Sequence, residues 1–171
     1  MAKRSLALAL LFSAVAAGYY MLGGFNPVVI ELKECRTIRL AGLYFEGTPQ
    51  DERLGESFRS VEWLISGSPG SILHTIYYEE PAGKRDTMRV FVGTDAAADL
   101  PIGFDQLEVP CNQVVVAEIN AHRFVMPSPV KVKDKIMAFA EDNGLMLQDV
   151  FIDRIIGADR VQVWAPLKSM D

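Results

Sequence analysis

From Ser5 to Ile30 no side chain is charged, and Leu6 to Ala17 is almost entirely apolar. About 20 apolar residues suffice for a helix to cross a bilayer, because a helix satisfies its own backbone in hydrocarbon. The pattern predicts a membrane segment that ends at Asn26-Pro27, where the residue before proline leaves the helical region. Beyond it the period shortens. Val28 to Glu34 and Thr37 to Phe45 read as strands, the second closed by Gly47-Thr48-Pro49. Leu54, Phe58, Val61, Trp63, Leu64 and Ile65 recur at helical spacing, opposite Glu56, Arg59 and Glu62. They predict a helix over Arg53 to Ser66, stopped by Ser66-Gly67-Ser68-Pro69-Gly70. Ile72 to Tyr78 and Met88 to Gly93 are strands around a turn at Glu80 to Lys84.

After a loop with Pro101 and Gly103 the order starts again. Gln106 to Val109 and Val114 to Ile119 are β-rich. Val130 to Asn143 is helical, with Val132, Ile136, Phe139 and Ala140 on one face and Lys131, Lys133, Lys135 and Glu141 outside. Gly144 stands where a helix C-terminal glycine belongs. Asp149 to Ile156 and Arg160 to Ala165 form a hairpin around Gly157-Ala158-Asp159. The fold class is therefore α+β: duplicated β-α-β-β units of antiparallel character, related by a pseudo-two-fold axis and preceded by one N-terminal transmembrane helix.

The N-terminal segment has two readings. Lys3-Arg4, Leu6 to Phe12 and Ala14-Val15-Ala16 fit a cleaved secretory signal. The apolar run continues through Gly18 to Phe25, however, with Tyr19, Tyr20 and Phe25 suited to a membrane interface. An uncleaved signal-anchor over residues 1–27 is expected, with a ligand-binding domain over 28–171. Lys3-Arg4 argue for a cytoplasmic N-terminus, while Lys33, Arg36 and Arg39 compete from the other flank. The side of the membrane stays open, as does the choice between a bacterial inner membrane and the endoplasmic reticulum.

Composition narrows the function. The net charge is −5 over 171 residues, with lysines and arginines dispersed, so no nucleic-acid groove is expected. The two cysteines, Cys35 and Cys111, are far apart with no histidine at metal spacing. They form one disulfide in an oxidising compartment or stand as two buried thiols. No phosphate loop, serine elbow or metal cluster is present, so no metal, cofactor or catalytic residue is assigned. His74 reads as a half-buried sheet residue and His122 as a solvated loop residue.

Four segments carry a family resemblance: Leu43-Tyr44-Phe45-Glu46-Gly47, Ile76-Tyr77-Tyr78-Glu79-Glu80-Pro81, Arg89-Val90-Phe91-Val92-Gly93, and Val161-Gln162-Val163-Trp164-Ala165-Pro166-Leu167. In this order they resemble the GyrI-like small-molecule-binding family, with its effector-binding domains of multidrug-responsive regulators and, more distantly, the haem-binding SOUL proteins. The nearest branch is that of the membrane-anchored, testis-expressed receptors of endoplasmic-reticulum autophagy. Their C-terminal tail is missing here, so receptor activity does not carry over.

The resemblance implies a ligand groove between the two halves. Many members place a buried glutamate in the first strand of the last hairpin; Asp153 is the nearest acid here. Glu118 is a second candidate acid. Tyr44, Trp63, Tyr77, Tyr78 and Trp164 supply the aromatic walls. Tyr77 and Tyr78 must point to opposite faces. Gln162 and Trp164 share one face, so Trp164 is expected in the groove near Tyr44, with Asp153 approaching the same cavity. The resulting function is a membrane-tethered, non-enzymatic module for a small hydrophobic, amphipathic or aromatic ligand. A membrane adaptor with a protein partner and a hydrolase of electrophilic small molecules, using Asp153 or Glu118, are the alternatives.

Overall fold

The computed structural model describes residues 2–81, 83, 85–95 and 102–168; the side chains of residues 2–9 lie outside that description. Pro101, Ala82 and Lys84, part of the predicted loop and turn, also lie outside it. The elements run α1 (Ala2–Met21), β1 (Val29–Glu34), β2 (Ile38–Gly47), α2 (Glu52–Ser66), β3 (Leu73–Glu79), β4 (Met88–Asp95), β5 (Asp105–Val109), β6 (Gln113–Asn120), α3 (Pro129–Asp142), β7 (Ile152–Gly157) and β8 (Arg160–Pro166). Beyond residue 27, every predicted strand and both predicted helices are present within a few residues of their expected bounds.

The eight strands form one sheet in the order β1-β6-β8-β7-β3-β4-β2-β5, antiparallel throughout. This order is symmetric about the central β7–β3 pair. The first half supplies β2-α2-β3-β4 and the second β6-α3-β7-β8, with β5 and β1 added at opposite edges. A doubly wound parallel sheet is thereby ruled out.

Both helices pack on one face of the sheet. Asp51 caps α2 by accepting a hydrogen bond from the Arg53 amide at 3.0 Å. Val61 of α2 is fully buried against Phe45, Met88, Val90 and Val92, with Leu54 and Phe58 beside it. Pro129 starts α3, which buries Val132 and Ile136 against Val115, Ala117 and Val163 and also buries Ala140. The opposite face is packed too. Leu40, Ile76, Phe91 and Ile152 form one cluster there, and Val114 and Val116 join Cys35 and Cys111 in another; Trp164 touches both.

Cys35 and Cys111 form a disulfide, with Cα atoms 5.7 Å apart. It joins the β1–β2 connector to the β5–β6 connector, the two segments that pass from one half to the other. The Cys35 amide donates to the Asn112 carbonyl at 3.0 Å alongside it.

Two expectations need correction. The first helix ends at Met21, not at Asn26-Pro27. Gly23 adopts φ +78° there, and the Gly24 amide turns back to donate to the Tyr19 carbonyl at 2.9 Å. Among the described residues no helix is long and apolar enough to cross a membrane. Trp63 is not in the core or in a groove: it is 72% exposed on the outer side of α2. Two residues beyond Val61, it lies about 200° around the helix at roughly 100° per residue. Trp63→Ala should change unfolding free energy by less than about 0.5 kcal/mol. A urea titration showing a loss above about 2 kcal/mol would place it in a packed contact instead.

Candidate ligand-binding groove

The groove follows from strand register. Asp153 on β7 pairs with Val163 on β8 and with Thr75 on β3. Val163 packs under α3, so Asp153 also faces the helices. Tyr77, two residues after Thr75, shares that face and packs with the α2 cluster. A cavity of about 350 Å³ opens between the two halves here. Pro49, Leu54, Tyr77 and Met88 line it from the first half, together with Glu80 and Pro81. Pro129 and Asp153 close it from the second half. An apolar lining with few polar anchors is the usual make-up of a small-molecule site.

Burial dominates the chemistry of Asp153. It pushes the carboxyl up to about 6, against the lowering pull of the Lys133 charge and with a smaller upward push from Glu80. Burial also raises the Tyr77 phenol, and the Asp153 charge adds to that. Arg154 does not neutralise Asp153, because successive strand residues point to opposite faces.

Apart from Trp63 on α2, the other predicted site residues lie on that opposite face. Glu118, Gln162, Arg154 and His74 form one transverse row by strand register. The Gln162 amide donates to Glu118 at 2.9 Å, and Arg160 Nε donates to the same carboxylate at 3.1 Å. These bonds, with one from Asn120, hold the Glu118 carboxyl below its usual range. The Arg154 guanidinium lies 3.9 Å from the Trp164 ring centroid, and its Nε donates to His74 Nε2 at 3.2 Å. His74 Nδ1 sits 3.1 Å from the Ile72 carbonyl, which only a protonated nitrogen can approach. The imidazole is therefore the Nδ1–H tautomer, held neutral by burial that lowers it to about 4. Both ring nitrogens are occupied, so His74 is no free base.

Trp164 thus stands on the far side of the sheet from Asp153, and the expected meeting of the two in one cavity does not occur. Tyr44 and Tyr78 are also on that far side, with ring centroids 6.1 Å apart, beside a second recess of about 460 Å³. Burial first, then the hydrogen bond with Tyr44, pushes the Tyr78 phenol up to about 12. Of the predicted set, the structure brings Tyr77 and Asp153 together at the groove. It adds Leu54, Met88, Glu80 and three prolines, Pro49, Pro81 and Pro129, which sequence reasoning missed. The signal for two of the prolines was available: Pro49 and Pro129 each stand at the entrance to a helix of equivalent position. Among the described residues no cluster of three or more His, Cys, Asp or Glu side chains is placed to hold a metal ion.

No protein-family model matches the chain, and no curated protein is significantly similar to it. Solved structures are similar in fold. A hydrolase from Listeria innocua aligns with a TM-score of 0.60 at 8% identity, over 84% of this chain and 95% of that one. The C-terminal domain of EcmrR gives 0.57 at 14% identity, over 84% and 99%. SAV2435, solved bound to tetraphenylphosphonium, gives 0.52 at 13% identity, over 82% and 94%. At these identities the likeness concerns the fold alone. These likenesses lend no support to the autophagy-receptor branch.

Proposed function

We propose that this protein is a binding module for small lipophilic cations, which it takes up in the groove between α2 and α3. One observation carries the reading: a half-buried carboxylate, Asp153, in a cavity walled by Tyr77, Leu54, Met88 and prolines, with Glu80 as its other acidic lining residue. A delocalised organic cation suits such a site. Its apolar bulk gains from burial, its weak hydration makes desolvation cheap, and its charge stabilises an ionised Asp153. SAV2435, of similar fold, was solved with a ligand of this class. The test is a fluorescence or calorimetric titration of the full chain with tetraphenylphosphonium and with the neutral triphenylphosphine oxide. Saturable binding with preference for the cation is expected. No saturable binding of the cation up to millimolar concentration would refute the reading.

We further propose that the chain is tethered through α1 as an uncleaved anchor, with residues 28–171 as the binding domain. Leu10, Leu11, Phe12 and Val15 are between 63% and 77% exposed and belong to none of the apolar clusters. The charge-free run from Ser5 to Ile30 supports the span. A disulfide favours an oxidising compartment for the domain, which agrees with Lys3-Arg4 remaining in the cytoplasm. Expressed in a bacterium, the protein should stay in the membrane pellet through carbonate extraction, with the domain open to protease from outside the inner membrane. Recovery in the carbonate supernatant, or a mature terminus near Ala17, would refute the anchor.

A further inference from the structure

Lys133 is predicted as an outward lysine of α3, yet its side chain is only 20% exposed. The ammonium forms an ion pair with Glu80 and lies 5.0 Å from the centroid of the Phe151 ring. Glu80 lines the groove with Asp153, and the Lys133 charge acts on Asp153 directly. Two carboxylates and an aromatic face are the groups that receive a cationic ligand. Here they receive a cation of the chain's own. Among the ion pairs of the described residues, Lys133–Glu80 is also the one that ties the two halves together.

We propose that Lys133 is the groove's built-in counter-cation: its ammonium pairs with Glu80 beside the Phe151 ring, at the edge of the cavity that Glu80 and Asp153 line, and a ligand cation binds by displacing it. The inference rests on the ligand-binding reading above and names the residue that sets its affinity and charge selectivity. A strongly hydrated small cation gains little by replacing an ammonium already there. A large, weakly hydrated one gains the apolar walls as well, so Lys133 selects for bulk and raises the threshold for binding. Displacement also breaks the tie across the groove, so that ligand entry and loosening of the two halves are one event.

The decisive variant is Lys133→Met, which keeps the length and apolar stem and removes the charge. At pH 8 its affinity for tetraphenylphosphonium should rise about tenfold, because a like charge near the ligand is removed at low effective dielectric. Its affinity for triphenylphosphine oxide should stay within about twofold, since the neutral probe has no charge to compete. Lys133→Arg, which restores a cation, should return the affinity for tetraphenylphosphonium toward the wild-type value. Thermal unfolding of each variant checks that it folds, with Lys133→Gln as the substitute if Lys133→Met does not. Unchanged or weaker binding of the cation by a folded neutral variant, with wild-type binding intact, overturns this proposal alone. So does an equal gain for both probes, which would make the effect one of volume. Absence of binding by every form, wild type included, overturns the ligand-binding reading and this inference with it.

Discussion

Replacing Asp153 by asparagine should weaken binding of tetraphenylphosphonium at pH 8 at least about thirtyfold, roughly 2 kcal/mol or more for a desolvated charge partner. The same substitution should flatten the pH dependence. In the wild type the carboxyl titrates at about 6, so affinity should fall about tenfold per pH unit below that value as the anion is lost. The neutral asparagine has nothing to titrate, and its weak binding should be the same at pH 5 and pH 8. Stability moves the other way. Burial raises the folded pKa above the unfolded 3.8. Between the two values the native chain holds a proton that the unfolded chain has released, so native stability falls as pH rises through that window. Asp153→Asn should therefore stabilise the unliganded protein above pH 6, by roughly 1–2 kcal/mol, because water reaching the groove screens the charge. Denaturant titrations at pH 4 and pH 8 read this directly. A variant less stable than wild type at pH 8 would mean that the carboxylate is a structural partner rather than a group held ready for a ligand.

The second large effect concerns the disulfide. β1 and β5 sit at opposite edges of the sheet, yet the connectors that follow them run side by side and are joined by Cys35–Cys111. The bridge closes a loop of 76 residues in sequence separation. Chain entropy assigns such a loop about 4 kcal/mol. Replacing both cysteines by serine, or reducing the protein, should lower stability by about that amount and the melting temperature by roughly 10 °C. The loss should exceed that of any exposed substitution, because Cys111 and Cys35 also pack with Val114, Val116 and Trp164. A melting temperature that does not change with reductant would show that the two connectors hold together without the bond.

The order of elements was legible in the chain because each period is local. Apolar, β-rich runs bounded by turn residues mark β2, β4, β6 and β8, and the spacing of Leu54, Phe58 and Val61 marks α2, whatever those elements pack against. The site was less legible, for two physical reasons. Alternation fixes which residues share a face, as with Gln162 and Trp164, but not which face the helices cover. In this sheet both faces are packed and both carry polar side chains, Thr75 and Asp153 on one and Glu118, Gln162, Arg154 and His74 on the other, so polarity does not identify the covered face. Trp164 and Asp153 are accordingly expected in one cavity, although they project to opposite sides of the sheet. The second reason is that long polar side chains bury their stems. Lys133 reads as an outward charge, while its methylenes and ammonium fold back over Phe151 toward Glu80. Trp63 is the reverse case, an aromatic that belongs to the apolar count of α2 but not to its buried stripe. The Asp153 assignment rested on the motif resemblance alone; the register of β7 against β3 and β8 supplies the reason it faces the groove.

The central claim is that the groove between α2 and α3, not the opposite face, receives a lipophilic cation. A crystal structure of the full chain grown with tetraphenylphosphonium tests it most directly. The account predicts the cation among Tyr77, Leu54 and Met88, its charge beside Asp153, with Lys133 swung away from Glu80. Density for the cation against Tyr44 and Tyr78, or beside Trp164 in place of Arg154, with the groove unchanged, would contradict it.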